Sequence, residues 1–266
     1  MQILFIGDIF GSAGRKIVRD HLSHVVETNK VDLVVANAEN AAGGFGLTPT
    51  IADEIFDMGC DVLTTGNHIW DKREIVDYFN SANGDPRGRA RRVLRPANYA
   101  EGVPGVGLYE GATPQGQGYA VINLQGRVFM PAIDCPFRTV DGLLESIPAT
   151  VKLRLVDIHA EATSEKLAMG WHLDGRVTAV VGTHTHVPTA DEIVLPAGTA
   201  YITDLGMTGP YESVIGIDKD IAVRKFLSQL PERFEVAEGD VRLCGVVVEA
   251  DARTGRAVSI ERVVRK

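Results

Sequence analysis

The chain has too few cysteines, too little positive charge and no apolar run long enough for several large protein classes. Cys60, Cys135 and Cys244 are odd in number and far apart, with no Cys-x-x-Cys pair. That excludes a disulfide framework and a zinc ribbon, and it fits a reducing compartment. Lys and Arg number 27 against 35 Asp and Glu, a formal net charge of −8, which is the wrong sign for a general nucleic-acid surface. The one basic cluster, Arg87-Gly88-Arg89-Ala90-Arg91-Arg92, reads as a solvated loop after Asp85-Pro86. No apolar run could cross a bilayer, and Asp8 interrupts the first such run too early for a signal peptide. The composition therefore predicts a cytoplasmic protein with no membrane partner and no stable nucleic-acid binding. No repeat, low-complexity tract or domain boundary is visible. Residues 1–266, 45% of them hydrophobic, read as one domain able to bury a sizeable core.

Short β-branched and apolar runs bounded by Gly or polar residues are present, and these read as buried strands. They alternate with helical patterns. A helix is expected from near Arg15, with Ile17, Val18, Leu22, Val25 and Val26 as its apolar stripe. A second starts at Thr48-Pro49, a cap residue followed by Pro at the first helical position. A third spans Asp71 to about Phe79, and a later one runs from Thr163 to His172. This order favours an α/β fold with parallel strands. Asn83 to Gln117, rich in Gly, Pro and Arg, reads as loops and short strands, and Gly118 to Leu124 as a strand. Leu143 to Thr150 is ambiguous. Val241–Ala250 and Ala257–Val264 read as a β-hairpin.

Five of the apolar runs end in residues that bind metals. Gln2–Gly7 leads into Asp8, and Leu33–Ala38 into Glu39-Asn40. Cys60–Thr64 leads into Asn67-His68, Leu153–Ile158 into His159, and Thr178–Gly182 into His184-Thr185-His186. Ligands of α/β sheets bind at the carboxyl ends of strands, so five such ends suggest one site. Carboxylate, carboxamide and imidazole donors suit divalent ions. Asp8, Glu39, Asn40, Asn67, His159, His184 and His186 are too many for one tetrahedral ion and suit two ions bridged by Glu39. In an extended segment His184 and His186 would share a face, each reaching a different ion. Two close ions clamp both oxygens of an in-line displacement at phosphorus, which leaves His68 to face the substrate.

Each residue also has an ordinary structural reading. Asp8 could cap a helix, Glu39-Asn40 could be a surface turn, and His159 could alternate with Asp157 on a polar strand face. Taken together, those readings need five coincidences. His21, His24 and His172 fall in helical patterns and are set aside as structural or surface residues. The rival from another class is dinucleotide binding, because Gly7–Gly14 is a glycine-rich strand–loop–helix followed by Glu39. Asp8 would then repel the pyrophosphate, and the histidines would have no role. A non-catalytic metal- or nucleotide-binding regulator is a further alternative.

Gly66-Asn67-His68, Asp8 after the first strand and Gly182-Thr183-His184-Thr185-His186 resemble the calcineurin-like metallophosphoesterases. Ala38-Glu39-Asn40-Ala41-Ala42-Gly43-Gly44, Asp157–Lys166 and Thr203–Pro210 resemble its YmdB-type branch, the bacterial 2′,3′-cyclic-nucleotide phosphodiesterases. The superfamily's first motif is Asp-x-His, but here it is Asp8-Ile9-Phe10, and Glu39 stands where the bridging aspartate is usual. Both departures are features of that branch. The resemblance implies a four-layer αββα sandwich with two mixed β-sheets. It implies two ions, iron or manganese ahead of zinc or magnesium. Asp8, Glu39, Asn40 and His186 would hold one ion, and Glu39, Asn67, His159 and His184 the other. It also implies His68 as proton donor to the leaving alkoxide after attack by a metal-bridging hydroxide. The substrate would be a small phosphoester, favouring 2′,3′-cyclic nucleotides, and the enzyme would be cytoplasmic and capable of forming homo-oligomers. Gly206–Ser213 and Arg138 are further candidates, for the pocket border and a phosphate contact.

Overall fold

Side chains alternate across every strand, and here the alternation feeds three separate cores. The computed structural model describes residues 1–83, 85 and 87–266; Gly84 and Pro86, in the loop expected there, lie outside the described residues. The strands are β1 (Gln2–Ile6), β2 (Leu33–Asn37), β3 (Val62–Thr64), β4 (Leu108–Ala112), β5 (Gly118–Gln125) and β6 (Leu153–His159). They continue with β7 (Ala179–Thr183), β8 (Ile193–Val194), β9 (Ala200–Ile202), β10 (Gly209–Pro210), β11 (Val241–Ala250) and β12 (Ala257–Arg265). The α-helices are α1 (Gly11–Asn29), α2 (Pro49–Asp57), α3 (Glu74–Asn80), α4 (Pro136–Ser146), α5 (Thr163–Leu173) and α6 (Lys219–Ser228).

One sheet has the order β10-β11-β1-β2-β3, with β12 also on β11; the other is β4-β5-β6-β7-β9-β8. Both are mixed. β1, β2 and β3 are parallel while β11 runs antiparallel to β1, and β5, β6, β7 and β9 are parallel while β4 and β8 are antiparallel to their neighbours. Leu4, Ile6, Val34 and Ala36 point outward onto Val18 and Leu22 of α1 and Ile55 of α2. Their alternates Ile3, Phe5, Leu33 and Val35 point inward, against Val121, Leu155, Val181 and Ile202 of the second sheet. That sheet's outer side chains, Ile122, Val156 and Val180 among them, pack on Val140 of α4 and Met169 of α5. Helix, sheet, sheet, helix: the expected αββα layering is present.

Local chemistry explains several boundaries. The Thr48 hydroxyl accepts from the Ile51 backbone N–H at 3.3 Å with Pro49 in the first turn, as the cap reading predicts. α1 opens four residues earlier than expected, at Gly11 rather than Arg15. The third helix is split into a 3₁₀ turn at Ile69–Asp71 and α3 proper. The ambiguous Leu143–Thr150 stretch is the end of α4, which stops before Pro148. The β11–β12 hairpin forms as read, one residue longer. Among the described residues no helix is long and apolar enough to cross a membrane.

Candidate metal centre

The inward faces turn polar at the strands' carboxyl ends. Continuing the alternation, β2 ends in Asn37, β3 in Thr64, β6 in Asp157 and His159, and β7 in Thr183, all buried. Asp157 gathers these neighbours: its Oδ1 accepts from Thr183 Oγ1 at 2.8 Å, and its Oδ2 accepts from Asn37 Nδ2 at 3.1 Å and from the Thr64 hydroxyl. The Thr183 hydroxyl has spent its proton on Asp157. It therefore accepts from His159 Nδ1–H, 2.9 Å away, which leaves the His159 Nε2 lone pair facing the seam. None of these partners was identified from sequence. The available signal was a polar residue ending each two-residue alternation, which resembles an ordinary surface strand face.

His159 Nε2 faces three other potential metal ligands. Glu39 Oε1 lies at 3.0 Å, His184 Nδ1 at 3.0 Å and Asn67 Oδ1 at 3.2 Å. His184 Nε2 lies 3.2 Å from Glu161 Oε2. These atoms could all turn to one cation. The ligand atoms of Glu39, His159 and His184 all lie within 4.8 Å of one another. Gly66 makes room for them, since a Cβ there would sit 2.1 Å from His159 Cδ2 and 2.4 Å from Glu39 Oε2.

A second group adjoins it. His186 donates from Nδ1 to the Ile215 carbonyl at 2.9 Å, turning Nε2 inward, 3.8 Å from Asp8 Oδ1. Asp8 is fully buried, and its Oδ1 has no hydrogen-bond partner. Asn40 Nδ2 lies 3.0 Å from His186 Nε2 and 3.1 Å from Glu39 Oε1; as a ligand it would offer the other end of its amide. The donor set fits divalent cations, with carboxylate and carboxamide oxygens and imidazole nitrogens brought together at one largely buried place.

Burial and charge shape the titration of these groups. Burial pushes the Asp8 carboxyl up to about 6 against the pull of His186 and His159. Burial would raise Glu39 too, but His159, then His68 and His184, hold it down to about 2. His159 is raised, since Glu39 and Asp8 outweigh burial. Burial and the neighbouring His159 push His184 down to about 3.

All seven expected ligands and His68 thus meet at one seam. His184 and His186 get there differently from the expectation, because the segment after β7 is not extended. Their φ angles are +100° and +64°, a tight left-handed turn that sends the two imidazoles to different groups. Thr185 between them is tied by N–H and hydroxyl to Asp204 Oδ2, which also takes the buried Lys166 ammonium at 2.6 Å. His68 sits at the rim, its Nδ1 2.9 Å from Asp71 Oδ2 and its backbone N–H on Glu39 Oε2 at 3.3 Å. The other candidates fall elsewhere. Arg138 is exposed on α4, and the cavity over the seam is lined by Val214, Ile215 and Ile217 rather than by Gly206–Ser213. A buried Asp8 carboxylate after β1 also contradicts a dinucleotide site, where a pyrophosphate would need that space.

Residues 4–263 match the profile of the family described as YmdB-like protein. A 2′,3′-cyclic-nucleotide 2′-phosphodiesterase of Bacillus subtilis is 48% identical over 99% of this chain and 97% of its own length. The crystal structure of a hypothetical protein from Thermus thermophilus superposes with a TM-score of 0.91 at 40% identity, covering 100% of this chain and 99% of that one. A novel phosphatase from Mycoplasma pneumoniae gives 0.90 at 34% identity, covering 100% and 93%.

Proposed function

The chain belongs to the YmdB-like protein family, and from that premise we propose that it is a dinuclear-metal phosphoesterase. Its substrates are small phosphoesters, with 2′,3′-cyclic nucleotides the favoured diesters and phosphomonoesters a second class. Asp8, Glu39, Asn40 and His186 would hold one ion, and Glu39, Asn67, His159 and His184 the other, with iron or manganese as the metals. The observation that carries this is the convergence of Glu39 Oε1, His184 Nδ1 and Asn67 Oδ1 on His159 Nε2, at 3.0, 3.0 and 3.2 Å, beside an orphaned Asp8 oxygen. The relative from Bacillus subtilis supports the cyclic-nucleotide substrate. Free cysteines fit a cytoplasmic location, and pairing of β11 with β1 fits a single domain.

Two bound cations would supply a nucleophile at neutral pH and neutralise charge on the oxygens of an in-line displacement. The chain's own contribution is geometric and acid–base. Thr183 and the Ile215 carbonyl hold imidazole rings at fixed angles, and the Glu39 carboxylate is kept ionised by the histidines around it. His68, anchored through Nδ1 by Asp71, has Nε2 free to give a proton to the leaving alkoxide. Elemental analysis, together with turnover of 2′,3′-cyclic AMP and an aryl phosphate, tests the assignment. His68→Ala should keep its metals and lose roughly 10²–10⁴ of the rate on a poor leaving group, whereas Glu39→Ala should lose metal. Full activity of His68→Ala on that substrate would remove the proton-donor role.

A further inference from the structure

The cavity over the seam encloses about 890 Å³, the scale of a site for a drug-sized ligand rather than a bare phosphate. Glu39, Asn40, His68, His184 and His186 form its polar part. Much of the remainder is an apolar wall contributed by Phe45, Ile215, Phe226 and Phe234. The wall begins beside the proposed proton donor, since the Phe45 and His68 rings meet edge to face at 5.2 Å. At its far side α6 and the chain after it hold large apolar groups in solvent. Phe226 is 80% exposed and Phe234 38%, more apolar surface than solvent contact alone explains. Two polar groups interrupt this wall. The Lys225 ammonium stands 4.2 Å from the Phe234 ring centre, and Gln229 follows one turn later. Flat aromatic faces beside one cation and one carboxamide suit a heteroaromatic ring, which offers a π face to stack and an edge to hydrogen-bond.

We propose that this wall is a nucleobase subsite, in which Phe226 stacks on the base and Gln229 and Lys225 meet its edge. The assignment rests on the phosphoesterase reading for what lies in the polar part, but base binding itself needs no catalysis. Calorimetry with adenosine, which has no phosphate, on wild type and on Phe226→Ala tests it directly. Phe226 is exposed, so its removal should not disturb folding. Adenosine should bind the wild type, weaken roughly 10-fold in Phe226→Ala and recover in Phe226→Trp; ribose should not bind. For the metal-loaded enzyme, KM for 2′,3′-cyclic AMP should rise by a similar factor with kcat nearly unchanged. Ethylene phosphate, a five-membered cyclic diester without a base, should be unaffected. Equal adenosine affinity in wild type and Phe226→Ala would overturn the subsite. So would a change in subunit number with unchanged adenosine affinity, which would assign the wall to a second copy of the chain. Adenosine binding without turnover of any phosphoester would uphold the subsite and overturn the phosphoesterase reading.

Discussion

Thr183 decides which nitrogen of His159 faces the seam. Its single hydroxyl proton goes to Asp157, so the imidazole must give it Nδ1–H and present Nε2 bare. Thr183→Val removes that acceptor and should weaken metal retention about 10–100-fold, while Thr183→Ser should restore it. Competition with a chelator measures this, and a Thr183→Val protein that holds metal like the wild type would contradict the role. The same residues set a pH profile for the metal-stripped protein. Glu39, held down to about 2 from an ordinary 4.5, contributes stability that is present above 4.5 and lost as pH falls. His184, lowered from 6.5 to about 3, acts in the same direction. Asp8, raised from 3.8 to about 6, opposes them between those values. Above pH 6.5 only His159 remains: its folded value is raised, so its contribution is lost as pH rises. Melting temperature without metal should therefore fall below about pH 4.5 and again as pH rises above 6.5. With metal bound, the alkaline fall should vanish, because a ligand nitrogen no longer titrates. A metal-stripped protein that gains stability from pH 6.5 to 8 would refute this account.

At the scale of elements, the site is a set of loops pressed tightly onto one another, and Gly66 marks a close approach between candidate ligands. A methyl at Gly66→Ala would lie within 2.4 Å of both His159 and Glu39, forcing the Asn67 loop outward. Overpacking of this kind costs about 1–3 kcal/mol, and the variant should lose metal along with stability, read by denaturant unfolding and elemental analysis. The strands that carry the site were legible because short β-branched runs leave little ambiguity, and α2 because Thr48-Pro49 is a strong start signal. α6 was missed for a physical reason: Ala222 is its only buried residue among Lys219–Ser228, so it shows no stripe aimed at a core. β4 was blurred because its residues are all half-buried or exposed. The seven candidate ligands were visible as polar residues ending apolar runs. The Asp157 cluster behind them was not, because nothing in a single strand says that its polar face is buried by a second sheet. The left-handed turn at His184–His186 was likewise invisible, since it is imposed by the Asp204 and Ile215 contacts rather than by the residues themselves.

At the scale of the molecule, the candidate ligands are divided between the two sheets. Asp8, Glu39, Asn40 and Asn67 follow strands of the first, and His159, His184 and His186 end or follow strands of the second. Neither half carries a complete set. The division has a consequence for biosynthesis. β1, which carries Asp8 at its end, is flanked on one side by β11, and the two are tied by a hydrogen bond joining residues 249 positions apart. A ribosome delivers β1 long before β11, so the first sheet waits with an unpaired edge until β11 emerges. A protein stopped at residue 240, with every proposed ligand present but no β11, is expected to retain no metal after size-exclusion chromatography. The proposed centre would thus report that β11 has joined β1, and a copy stopped short of β11 would carry its chemistry only in disassembled form.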